Sequence, residues 1–188
     1  MKKIFMIAAM IAATLTASAQ QPTGSWSLIP KVGFNLANYA GDISNNSIKF
    51  GLVAGADAMY QVSPMIGLSA GLFYSMQGCE FEGDVSESVD EINIPLLANF
   101  YVAPNFALKI GLQPGIIASA KVKNSKQSVD IGSSLQTIEI SVPIGVSYDI
   151  SDFVIDARYN LGISKLNKDN GSVRNSIIQF TVGYKIPF

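Results

Sequence analysis

The sequence predicts an all-β chain: an eight-stranded antiparallel up-and-down transmembrane β-barrel, preceded by a cleaved signal peptide. Three observations predict it. The last segment, Ser176 to Phe188, alternates without a break: Ile178, Phe180, Val182, Tyr184, Ile186 and Phe188 share one parity, and Gln179, Thr181, Gly183 and Lys185 share the other. A period of two places successive side chains on opposite faces of a strand. Seven earlier segments repeat the pattern, and the connections between the eight run long, short, long, short, long, short, long. Lipid on one face and a polar lumen on the other explains an apolar face that ends on an aromatic residue.

The amino terminus is expected to be a secretory leader. Met1-Lys2-Lys3 is followed by an apolar run from Ile4 to Leu15 and then by Thr16-Ala17-Ser18-Ala19-Gln20. A positive start, a short apolar core and a small-x-small site mark a signal peptide. Cleavage after Ala19 divides the chain into a leader at 1–19 and one barrel domain at 20–188. The apolar run is short of the roughly 20 residues that a membrane helix needs.

The first strand, Trp26 to Asn38, sets Leu28, Pro30, Val32, Phe34 and Leu36 against Lys31, Gly33 and Asn35. A turn-rich loop from Gly41 to Asn46 follows. The second strand, Ile48 to Gln61, turns Phe50, Leu52 and Tyr60 outward and Gly51, Val53 and Asp57 inward, with a short turn at Gln61-Val62-Ser63-Pro64. The third, Met65 to Gln77, leads into an acidic loop from Gly78 to Asp90 holding Glu80, Glu82, Asp84, Glu87 and Asp90. The fourth, Glu91 to Val102, closes on Ala103-Pro104-Asn105, and the fifth, Phe106 to Ala118, on a polar loop from Lys121 to Ser134. The sixth, Thr137 to Tyr148, turns through Asp149-Ile150-Ser151-Asp152 into the seventh, Phe153 to Ser164. A loop from Lys165 to Ser172 reaches the eighth strand.

These strands, about 10–14 residues long, suit a tilted bilayer crossing, which takes about 9–11; soluble strands average about 5–6. With the amino terminus in the periplasm, the three short turns are periplasmic and the four long loops extracellular, the asymmetry of an outer-membrane barrel.

Charge placement decides which face is outside. Lys31, Lys109, Arg158, Lys185, Asp57, Glu91, Glu139 and Asp156 fall on the polar parity, four of each sign, with Lys49 at one strand's beginning set apart as the exception. A Lys or Arg facing lipid at mid-bilayer costs about 2–4 kcal/mol. Charges inside a narrow barrel must pair. A secreted lipocalin-like barrel carrying a lipophilic ligand is the alternative, with the apolar face turned inward; Gly24-Ser25-Trp26 echoes the lipocalin Gly-x-Trp. Glycines on the polar parity, such as Gly33, Gly55, Gly111 and Gly145, suit a small barrel whose interior side chains fill. No open diffusion pore is expected.

Composition narrows the function. Removing Lys2 and Lys3 leaves 11 basic against 14 acidic residues, with no basic stripe of the nucleic-acid-binding kind. The chain has one cysteine, Cys79, and no histidine. The usual Ser–His and Cys–His pairs and most transition-metal sites are therefore excluded. No catalytic, cofactor or metal residues are expected, and no enzymatic activity. Asp156 and Arg158, two apart on one face, are expected to form a lumen ion pair rather than an acid–base site. The expected partners are outer-membrane lipid, the barrel-assembly machinery reading a carboxy-terminal signal at Tyr184, Ile186 and Phe188, and an extracellular molecule met through the loops. A monomer is expected. The acidic stretch from Glu80 to Asp90 is expected to be solvated, with a cation or a basic partner as the interaction alternative.

Four motifs carry a family resemblance: Lys31-Val32-Gly33-Phe34-Asn35-Leu36-Ala37, Ile92-Asn93-Ile94-Pro95-Leu96-Leu97, Gly111-Leu112-Gln113-Pro114-Gly115, and Asp156-Ala157-Arg158-Tyr159-Asn160-Leu161-Gly162. In this order, across the mature chain, they resemble the PorT-like outer-membrane β-barrel family. The resemblance implies an eight-stranded outer-membrane barrel. A role assisting protein secretion, tied to the founding member, would be fold-level analogy.

Overall fold

The computed structural model describes residues 22–41, 46–81, 85–123, 128–130, 138–164 and 173–188. The expected leader at 1–19 and the loop from Lys165 to Ser172 lie outside these residues, as do the tip of the acidic segment and most of the stretch from 124 to 137.

The chain builds eleven strands: β1 (Trp26–Gly41), β2 (Asn46–Ser63), β3 (Ile66–Phe81), β4 (Val85–Asn93), β5 (Leu96–Ala103), β6 (Phe106–Lys123), β7 (Ser128–Asp130), β8 (Ile138–Ile150), β9 (Phe153–Gly162), β10 (Val173–Tyr184) and β11 (Ile186–Pro187). All pairings are antiparallel, and β1 closes the ring on β10, in register from Lys31↔Gly183 to Gly41↔Val173. The ring has eight walls: β4 and β5 share one, β11 continues that of β10, and β7 pairs only with the far end of β6.

The wall shared by β4 and β5 is expected as one strand, and Pro95 divides it. Proline has no N–H to give a ladder. The sheet stays joined around it, because Ile94 N donates to Pro114 O at 2.8 Å and Gly71 N donates to Pro95 O at 2.9 Å. The alternation also survives, with Ile92 and Leu96 exposed on either side.

The short connections are tighter than the sequence suggests. Each is two residues long: Pro64–Met65, Pro104–Asn105 and Ser151–Asp152. Asn105 (φ 63°) and Ser151 (φ 55°) take the left-handed conformation that reverses the chain. Asp149 and Ile150, expected in a turn, complete β8 instead.

The opposite end departs further. The expected acidic loop is largely a ribbon of β3 and β4, with Met76↔Asp90 through Phe81↔Val85 in register, flanked by β2 and β6. Lys121 to Lys123 likewise extend β6, pairing with β4 on one side and β7 on the other.

Orientation of the faces is unambiguous. Val32, Leu72 and Leu52 are 64%, 60% and 58% exposed, while Arg158, Lys31 and Asp57 are each 2% exposed. An inward-facing apolar surface, as a lipocalin requires, is thereby ruled out. Among the described residues the exposed charges are Lys121, Asp152 and Arg174, all near strand ends. Lys49 is no exception to the pattern: it shares the parity of Gly51 and Val53, and its ammonium donates to Ser88 Oγ. Aromatic contacts line the outer surface, Trp26 with Tyr60 (4.9 Å between centroids) and Phe153 edge-on to Tyr184 (5.4 Å) among them.

The interior is crowded. A Cβ on Gly33 would lie 1.9 Å from Phe180 O, and one on Gly111 1.9 Å from Leu96 O. These are neighbouring backbone atoms that cannot give way, so the close approach admits only glycine.

Candidate functional site: the charged interior of the barrel

Closing eight strands leaves an interior only wide enough for side chains to fill. The polar-parity residues therefore meet across it, in three groups at different heights.

The central group holds five charges. Lys31 on β1 bridges Asp57 on β2 (Nζ–Oδ2 2.7 Å) and Asp156 on β9 (3.2 Å). Asp156 Oδ2 also takes Lys109 of β6, and Asp156 Oδ1 lies 2.9 Å from Arg158 Nε. That last contact is an ion pair by distance but is not aligned as a hydrogen bond. The Arg158 guanidinium carbon lies 5.5 Å from the Phe73 ring centroid, a cation–π position. Asp156 is thus the hub: one carboxylate faces three cations from three strands. Space for the long side chains comes from glycines beside them. A Cβ on Gly145 would stand 2.6 Å from Arg158 Cγ, and one on Gly183 2.6 Å from Lys31 Cγ.

The second group lies toward the end opposite the two-residue turns. Glu91 of β4 and Glu139 of β8 are joined through one amide, that of Asn175. Gln77 Nε2 donates to Glu91 Oε2 at 3.0 Å, and Asn175 Nδ2 donates to Glu139 Oε2, to Gln77 Oε1 at 3.0 Å and to Glu91 Oε1 at 3.4 Å. Amide donors surround these two carboxyl groups, in place of the cations that an even four-against-four pairing would supply.

The third group sits at the end carrying the two-residue turns. Lys185 pairs with Asp149, and its backbone N–H donates to Asp152 O at 2.7 Å. A small apolar cluster of Ile29, Met59 and Val154 packs nearer this end.

The eight charges singled out in the sequence therefore divide: Lys31, Asp57, Lys109, Asp156 and Arg158 come together, Glu91 and Glu139 form a separate pair, and Lys185 takes a partner outside the set. Sequence reasoning missed Asp149, Gln77 and Asn175. Asp149 had a signal, since it follows outward Tyr148 in phase. Gln77 and Asn175 share the inward parity but carry no mark of height along the barrel. Tyr184, Ile186 and Phe188 lie on the outer face, and Phe188 N donates to Trp26 O at 3.0 Å.

Removing one partner of a buried ion pair leaves an uncompensated charge, at a cost of about 3–5 kcal/mol. Asp156→Asn strands Lys109 and Arg158 and leaves Lys31 with Asp57 alone. We expect it to lower unfolding stability in urea–detergent titrations by about 3–5 kcal/mol, and Lys109→Met in the same chain to recover part of the loss. A change under about 1 kcal/mol, the scale of exposed pairs, would contradict the central role of Asp156.

The outer membrane protein β-barrel domain family matches residues 18–168. No curated protein matches the chain. Among solved structures, the chain is similar to Ail, the attachment invasion locus protein of Yersinia pestis, at 18% identity and a TM-score of 0.54, covering 88% of this chain and 100% of that one. It is also similar to Neisserial surface protein A, at 17% identity and a TM-score of 0.58, covering 87% and 98%. At such identities the likeness shows the fold. With four-fifths of its length within one family's bounds, the chain belongs to the outer membrane protein β-barrel domain family and is a protein of the outer membrane.

Proposed function

We propose that this barrel is a non-catalytic outer-membrane platform with a filled, charge-paired interior, presenting an extended β-structure outside the cell for interaction. The observation that carries this reading is the unequal height of the wall. β2, β3 and β6 run 18, 16 and 18 residues, against 10 for β9 and 12 for β10. A tilted crossing takes about 9–11 residues. The surplus gathers at the end opposite the two-residue turns, in the ribbon of β3 and β4 and the adjoining ends of β6 and β7. Short turns in the periplasm and long connections outside are the rule for such barrels, so the ribbon projects outward.

The segment from Glu80 to Asp90 carries five acidic residues and no basic one, which favours a cationic partner. A complex of Ail with a heparin analogue, sucrose octasulfate, is among the similar structures, at 16% identity and a TM-score of 0.55. An acidic ribbon is the wrong sign for such a sulfated ligand, so that property does not carry over. Replacing residues 80–87 by a two-residue turn should leave the heat-dependent gel shift of the folded barrel intact and abolish salt-sensitive binding of nanodisc-embedded protein to immobilised polylysine. Unchanged binding would remove the ribbon from the account.

The filled interior implies no open pore. Purified protein in a planar bilayer should give no stable conductance of porin size; large steady openings would overturn that part of the proposal. The exposed row of Tyr184, Ile186 and Phe188 supports a carboxy-terminal assembly signal, a role that requires Phe188→Ala to reduce the assembled barrel in the membrane. The four motifs at 31–37, 92–97, 111–115 and 156–162 support a PorT-like kinship within the family. Unchanged protein secretion in a deletion strain would remove the secretory role that kinship implies.

A further inference from the structure

The outer surface is not evenly filled. Trp26, Tyr60, Leu68, Ala98 and Ile110 stand side by side across five strands, and one step along the barrel Ala58, Ala70, Leu96 and Leu112 do the same. Where most outward positions are large, Ala58, Ala70 and Ala98 are small, and they lie on neighbouring strands. They floor a groove of about 650 Å³ that reaches the backbone at Gly111, with the larger residues of the two rows as its walls. One end is closed by the Trp26–Tyr60 pair, whose ring centroids are 4.9 Å apart.

We propose that this groove binds one acyl chain of a periplasmic-leaflet phospholipid as a specific site. The barrel lies in the outer membrane, so hydrocarbon is the medium against this face. Depth selects the leaflet. The groove runs over Leu68–Ala70 on β3 and Ile110–Leu112 on β6, so its far end lies five and seven residues from the start of each strand at the two-residue turns. At about 3.3 Å per residue and a tilt near 45°, seven residues span roughly 16 Å, half of a hydrocarbon core about 30 Å thick. The far end of the groove therefore lies near the midplane, and the whole groove lies within one leaflet. Its rim carries Trp26 and Tyr60 where aromatic residues sit at headgroup level. Alanine floors let a chain approach the backbone and gain contacts that it would lose against protruding side chains. The leaflet assignment rests on the orientation proposed above, and the experiment separates the two.

Trp26 is the chain's single tryptophan and lines the groove, so its fluorescence reports occupancy. Full-length folded protein in phospholipid-free detergent is titrated with phosphatidylethanolamine brominated on its acyl chain, and separately with lipopolysaccharide as a competitor. The expected result is quenching that saturates at about one phospholipid per barrel, is not displaced by lipopolysaccharide, and is lost in Ala70→Phe/Ala98→Phe. Ala157→Phe, on the far side of the barrel, should quench as the wild type does. Native mass spectrometry of wild-type protein extracted from membranes should show one retained phospholipid, a readout that needs no variant to fold. Linear, unsaturable quenching equal in all variants would overturn the site. Displacement by lipopolysaccharide would overturn the leaflet and with it the orientation, and a groove-dependent dimer without bound lipid would overturn the occupant.

Discussion

Hydrocarbon offers no partner to a backbone N–H or C=O, so a sheet in a bilayer must have no open edge. The pairing of β1 with β10 meets that constraint, and the rest of the structure depends on it. Eleven residues of β1, Lys31 to Gly41, stand opposite eleven of β10, and β11 continues the seam with Ser27↔Pro187 and Leu28↔Ile186. Once the sheet is closed, every inward position within the span faces a narrow lumen and every outward one faces lipid. The two faces then obey opposite chemistries.

The outward chemistry is simple: apolar side chains across the span, aromatics toward the rims, charges near strand ends. The inward chemistry is demanding, since eight strands leave no room for bulk water to screen the charges. Lys31, Asp57, Lys109, Asp156 and Arg158 gather into one cluster because their strands bring them to one height, and neighbouring glycines leave room for the long stems. Buried ion pairs add little stability over a well-packed apolar core. Their value here is placement: the pairs of Lys31 with Asp57 and of Lys31 and Lys109 with Asp156 each fix two strands at one level, and Asp156 ties β1, β6 and its own β9 together. On the proposed reading, this filling also closes the lumen to solute and leaves interaction to the parts that rise above the membrane.

Much of this was legible in the sequence. The face of each strand follows from a period of two, and lipid enforces that period strictly, which is why Val32, Leu72 and Val182 could be placed without a structure. Legibility ended where lipid did. From Gly78 to Asp90 most of the acidic residues take the parity that apolar ones hold earlier in β3, so no apolar outer face marked the ribbon, and its charges looked like a loop. Pro95 divided a wall that alternation alone ran through. Parity also gives a residue's face but not its height or its partner. It could not separate Glu91 and Glu139, held by amides of Gln77 and Asn175, from the Asp156 cluster, nor match Lys185 to Asp149. Those pairings depend on register and shear, which the whole ring sets together.

The account stands or falls on the closed seam. Hydrogen exchange of the backbone amides in phospholipid nanodiscs measures it directly, because a paired amide in a closed sheet exchanges only when the sheet opens. Amides of β1 from Lys31 to Leu36 and their partners on β10 from Ile178 to Gly183 should be protected as strongly as those of β2 and β9. Fast exchange confined to β1 and β10 would show an open-edged sheet and contradict the barrel at its foundation.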